Sequence, residues 1–180
     1  MVCQGEAYTG DQKGLGQDTA HGALTHIGFK PTNGNTLIGN TANTLSLKIK
    51  LTGSPTNPVI GAQIYDDSNV LQQTSTNTID DLDGTFTFKD FNFASTFTVT
   101  EDYSYVIYQV SGSTFNDANG AYINMKNTAV DNNVDTYKTA SGWYSHNLSV
   151  TVCFTVAAAA KSAAPGSWIT NPVPFRIGQG

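Results

Sequence analysis

Short apolar runs that alternate residue by residue, each closed by Asn, Gly, Asp or Pro, constrain this chain more than any other feature. Leu45, Leu47, Ile49 and Leu51 alternate with Ser46, Lys48 and Lys50, the period of two that lays one face of a strand on a core. Residues 53–58 (GSPTNP) are turn chemistry, and Val59–Tyr65 follows as a second strand ending at Asp66-Asp67-Ser68-Asn69. Residues 70–75 read as a strand and 80–84 as a turn. Phenylalanines then fall at 86, 88, 91 and 93, and the skip across Lys89-Asp90 predicts a bulge or turn. Residues 97–99, 103–110, 122–125 and 148–156 complete the set, with YSYVIYQV apolar on both faces as a central strand would be. Roughly seven to nine strands at intervals of about 8 to 15 residues predict an all-β fold, an antiparallel sandwich.

The 180 residues suffice for one domain with a real core. Residues 1–23 are Gly-rich and poor in apolar side chains, so they read as an extended N-terminal arm. Residues 24–156 are the expected sandwich domain, and 157–180 an Ala/Pro linker followed by an apolar C-terminal arm. The alanine run at 157–164 is the sole helix candidate, closed by Pro165 and Gly166. The opening MVCQGEAYTG shows neither the basic nor the apolar region of a secretory leader.

Only 13% of residues are charged, and 16 Asn with 24 Thr do the solvating instead. Nine basic residues against fourteen acidic ones, with no Lys/Arg cluster, leave no electrostatic footprint for nucleic acid. No apolar run approaches the roughly 18 residues that span a bilayer. Cys3 and Cys153 stand at nearly opposite ends. Two reduced thiols are the expectation, because two cysteines make no framework. Paired, they would close a loop of about 150 residues.

The stretch from Leu45 to Val110 resembles a family of jelly-roll β-sandwich modules, the choice-of-anchor or carbohydrate-binding-like domains of secreted and phage structural proteins. Gly53-Ser54-Pro55, the strand end Ile64-Tyr65-Asp66, the set Phe86, Phe88, Phe91 and Phe93, and the strand 103–108 carry the resemblance. Gly142-Trp143 and the closing strand 148–154 also fit, so it covers roughly 27–156. It departs where the family has Gly and this chain has Glu101-Asp102. The resemblance implies a jelly-roll-like arrangement and a structural calcium. Asp66 and Asp67, with Asp80, Asp81 and Asp83, are the ligand candidates, since each turn gathers several hard oxygen donors. No other cofactor is expected.

Catalytic patterns are missing from the sequence. The acids sit in turns beside Gly, Asn or Ser rather than as a pair across a cleft, and no Ser or Cys stands in a nucleophile motif with His21, His26 or His146. The chain reads as a protein that is not an enzyme. Sugar binding is the sharper chemistry, because carbohydrate faces stack on rings flanked by amides. Trp143 and Tyr144, with Tyr122, Tyr137 and His146 near them and Asn124, Asn132 and Asn133 as donors, are the candidates.

A sandwich of about 130 residues has its core without the flanking segments. Trp168, Ile169, Val173, Phe175 and Ile177 are too apolar for a solvated tail and are expected to dock, either on their own domain or on a neighbouring copy. Two functions follow. One is a structural protein of a virus or phage particle, a capsid decoration or tail-associated protein on the virion surface, assembled through its arms as a homo-oligomer or in a capsid or tail lattice. The alternative is an extracellular carbohydrate-binding adhesion module that takes a surface glycan.

Overall fold

The computed structural model describes residues 1–5, 11–126, 132–146 and 148–155. Among them are thirteen strands: β1 (Val2–Gln4), β2 (Asp11–Gly14), β3 (His26–Pro31), β4 (Thr41–Thr52), β5 (Val59–Tyr65), β6 (Leu71–Thr74), β7 (Thr87–Thr98), β8 (Ser104–Ser111), β9 (Gly120–Lys126), β10 (Asn133–Thr139), β11 (Gly142–His146), β12 (Ser149–Val150) and β13 (Val152–Thr155). They form two antiparallel sheets packed face to face, the all-β sandwich that the alternation predicts. One sheet runs β1-β13-β4-β9-β12, with β2 added to β9 and β7 to β4; the other runs β11-β10-β3-β8-β5-β6.

Leu45, Leu47 and Ile49 of β4 point inward and are fully buried, as the period of two requires. They meet Ile27 and Phe29 of β3 and Tyr105 and Ile107 of β8 across the interface. Phe154 of β13 stands at the centre of this core. Its ring lies 5.8 Å from Phe29, 5.2 Å from Tyr105 and 5.9 Å from Phe97, so one aromatic side chain joins both sheets. The Tyr105 hydroxyl accepts the Thr100 N–H at 2.9 Å, and burial drives its ionisation far above the usual phenol range.

Several expectations need correction. The N-terminal arm is not an arm: β1 pairs with β13 and β2 with β9, while Leu15 is buried in the core. The cysteines are not reduced thiols: Cys3 and Cys153 are direct cross-strand partners in β1 and β13 and form a disulfide. The strand register brings β1 against β13, a long-range pairing that cysteine spacing alone cannot reveal. The phenylalanine skip is not a bulge at Lys89-Asp90, which pair regularly with Leu47 and Ser46. It marks a change of face. Phe91 and Phe93 enter the core, Phe88 pairs with Lys48 on the outer side, and the register slips further on, opposite Ala42 and Thr44. The strands β3, β10 and β11 also escaped the sequence reading. The alanine run at 157–164 and the docking candidates Trp168, Ile169, Val173, Phe175 and Ile177 lie outside the described residues.

Candidate functional site

Directly paired residues of adjacent strands share a face. The register therefore sets Trp143 of β11, Lys138 of β10, His26 of β3 and Tyr108 of β8 in one row across the outside of the six-stranded sheet. The next row carries Ser145, Thr136, Gly28, Val106 and Gln63. Tyr65, two residues beyond Gln63 on β5, joins the same face. Gly28 is required at the middle of this surface, because a Cβ there would lie 2.0 Å from the Tyr105 carbonyl oxygen.

Three strands separate β5 from β11, yet the Tyr65 and Trp143 rings meet edge to face at 4.8 Å. The rings lean toward one another over the intervening strands. His26 lies 5.8 Å from Tyr65, 5.8 Å from Tyr108 and 5.9 Å from Trp143, which completes a four-ring platform. The Lys138 ammonium sits 5.6 Å from the Trp143 ring and 5.7 Å from Tyr65.

Hydrogen bonds hold the platform. The Tyr65 hydroxyl donates to Gln63 Oε1 at 2.7 Å, and His26 Nε2 donates to the same oxygen at 3.1 Å. Burial lowers His26 to about 4, with the Lys138 charge adding to the effect and the Gln63 bond opposing it. His26 is thus a neutral aromatic ring at neutral pH. Burial likewise raises the Tyr65 hydroxyl, helped by Tyr108.

A cleft opens at each end of β3. Beside Leu24, His26, Tyr108 and Phe115 is an apolar one of about 290 Å³. A polar one of about 210 Å³ lies beside Trp143, with Lys30, Asp67, Asn69, Thr136 and Ser145 on its walls. Lys30 also pairs with Asp102 at 3.3 Å. A ring platform between an apolar and a polar recess is the composition of a small-ligand site.

The four residues singled out for sugar binding do not converge. Trp143 belongs to the platform. Tyr144 is its neighbour in β11 and so faces the other way, stacked on Tyr137 at 5.5 Å and on His21 at 4.0 Å. His146 shares that inner side and stacks on Tyr137 at 4.8 Å. Tyr122 is in β9 of the other sheet, and its hydroxyl donates to the Asp117 carbonyl at 3.0 Å. Asn124 accepts from Thr151, and Asn133 donates to the Val150 carbonyl, so both are structural amides.

Of the carboxylates proposed for calcium, Asp66 and Asp83 bond within their own turns. Asp66 accepts the N–H groups of Ser68 and Val70 and the Gln72 amide. Asp81 pairs with Lys89 at 2.9 Å, and Asp83 accepts the Thr85 N–H at 2.8 Å. Asp67 lines the polar cleft, whereas Asp80 is simply exposed. Among the described residues, no three His, Cys, Asp or Glu side chains gather as a metal site. Nor is any described helix long and apolar enough to cross a membrane.

Comparison with protein-family models, with curated proteins and with solved structures finds no match to this chain. The functional reading therefore rests on the geometry of the face itself. Tyr65, Gln63, His26, Tyr108 and Lys138 were not assigned to a binding site from the sequence. For Gln63 and Tyr65 the signal was parity, since they share the side of β5 opposite Ile60, Ala62 and Ile64, although Tyr65 is itself buried there.

Proposed function

We propose that this protein is a non-enzymatic module that binds a glycan on the outside of its six-stranded sheet. The observation that carries this reading is the contact of Trp143 with Tyr65 at 4.8 Å, in a ring platform flanked by two clefts. A pyranose presents an apolar C–H face and a rim of hydroxyls. The half-buried rings of Trp143, His26 and Tyr108 suit the first, with the buried Tyr65 supporting Trp143, and the side chains of Asn69, Thr136 and Ser145 suit the second. The polar cleft carries one carboxylate, Asp67, whereas glycoside hydrolysis uses two. The disulfide between the first and last described strands fits an oxidising, extracellular setting.

The other expectation, a virion protein assembled through its arms, has less to stand on. Its N-terminal arm folds into the sandwich, and its C-terminal docking residues lie outside the described residues. The test is retention on a glycan array by the wild type and by Trp143→Ala, with folding followed by circular dichroism. Removal of one stacking ring is expected to weaken binding roughly tenfold or more while the fold persists. Equal retention by both proteins, or no glycan retained by either, overturns the proposal.

A further inference from the structure

We propose that Lys13 and Asp135 condense to an intramolecular amide that joins the two sheets covalently. Lys13 is on β2, a strand hydrogen-bonded to β9 alone in the seven-stranded sheet; Asp135 is on β10 of the six-stranded sheet. The Lys13 nitrogen lies 2.9 Å from Asp135 Oδ2. The Asp135 side chain is fully buried and that of Lys13 only 16% exposed. Underneath, the Tyr137 ring backs the ammonium at 4.7 Å from its centroid. Such a pair is shielded from the water that would separate it.

The carboxyl group is also held in a fixed orientation. Asp135 Oδ1 accepts the backbone N–H of His146 at 3.0 Å and that of Leu148 at 3.4 Å. This leaves Oδ2 turned toward the amine. Amine and carboxylate are therefore held together in the fold, and well-oriented intramolecular reactions gain effective molarities on the order of 10⁵–10⁸ M. Keeping two opposite charges buried is costly, and a neutral amide removes both.

The proton route is present as well. His146 Nδ1 is in direct contact with Lys13 Nζ and lies 3.4 Å from Asp135 Oδ2. Its ring is fixed by stacking on Tyr137 and by the bond between Nε2 and the Tyr137 hydroxyl at 3.1 Å. His146 takes a proton from the ammonium and passes it to Oδ2, leaving a neutral amine and a carboxylic acid. The Nζ lone pair then attacks Cγ and forms the new C–N bond. Negative charge develops on Oδ1, where the two backbone N–H groups stabilise it. A second proton travels from nitrogen to Oδ2 through the same imidazole, and Oδ2 leaves as water while the Oδ1 carbonyl re-forms. One ammonium and one carboxylate give one amide and one water, with no oxidant or cofactor.

The amide complements the disulfide, since β1 is tied to β13 and β2 to β10. Both early strands are then fastened to late ones, and the second tie survives reduction. The experiment is the intact mass of the full chain, reduced and denatured. The expected mass is one water below that of the sequence, with a proteolytic peptide branched between Lys13 and Asp135. Lys13→Arg keeps the ion pair but has no amine, so it is expected to return the full mass. In His146→Gln, the bond is expected to form roughly a hundredfold more slowly in freshly purified protein. Full sequence mass in folded wild type after prolonged incubation at neutral pH overturns the proposal. So does a water loss that maps to a succinimide at Asp83-Gly84.

Discussion

The outer faces of the two sheets are built from the same kinds of strand and do opposite things. On the seven-stranded sheet, groups tie to one another. Ser46 donates to Asp90 across β4 and β7, Thr44 donates to Asn92 at 2.9 Å, and Asn77 bonds the β7 backbone at both Asp90 and Asn92. The disulfide lies in the same row as Ser46 and Asp90. On the six-stranded sheet, the corresponding positions carry Trp143, Tyr65, Tyr108 and His26, with Lys138 over the rings and a cleft on either side. One face is closed by its own pairings and the other keeps ring surface beside recesses. Both faces pair their side chains, but only on the six-stranded face do those pairings leave recesses open beside the rings.

The largest effect expected on this contrast is loss of the disulfide. Replacing Cys3 and Cys153 together by Ser removes a constraint across a sequence separation of 150 residues, worth about 4–5 kcal/mol in the chain-entropy picture. Urea unfolding at fixed temperature measures it. Where the variant remains folded, glycan retention at the Trp143 face should be unchanged, because the tie belongs to the other sheet. An unfolding midpoint equal to that of the wild type would show that the bond contributes nothing to stability.

A smaller effect, confined to the six-stranded face, comes from pH. His26 takes up its proton at about 4 in the folded chain and near its ordinary value, about 6.5, once unfolded. Between these values the unfolded chain binds the extra proton. Stability from this group is therefore complete above about pH 6.5 and declines as the pH falls toward 4. Thermal midpoints of the wild type should drop across that window more steeply than those of His26→Gln. Parallel profiles would mean that the ring platform does not exclude the imidazolium.

The strands with a clean period of two were legible in the sequence, β4 and β5 most clearly, because their core-facing side chains recur at every second position, Leu45, Leu47 and Ile49 in one and Ile60, Ala62 and Ile64 in the other. Those that point polar groups inward were not. In β10 the inward residues include Asn133, Asp135 and Thr139, which read as loop until their partners are known. β1 and β2 were read as an arm because their stability comes from pairing with β13 and β9, more than a hundred residues away. The candidate site shows the same limit. Trp143 was visible as a large ring near a strand end, but its companions come from β3, β5 and β8, and register alone brings them together. Tyr144 was grouped with Trp143 because they are adjacent in sequence. In a strand, adjacency separates two side chains onto opposite faces.

The mildest prediction returns to the seven-stranded face, which has a ring and a cation of its own. The Lys50 ammonium stands 4.8 Å from the centroid of Phe86, and Phe88 pairs with Lys48 beside it. In composition this resembles Lys138 over Trp143; in surroundings it does not, for neither flanking cleft is lined by Phe86 or Phe88. The pair is therefore a covering for the outer side of β4 and β7. Phe86→Ala should lower stability by about 0.5–1 kcal/mol, the scale of an exposed cation–ring contact. It should leave retention on a glycan array untouched. Loss of binding in Phe86→Ala comparable to that in Trp143→Ala would mean that rings on either face serve equally, and the distinction between a closed face and a receptive one would fail.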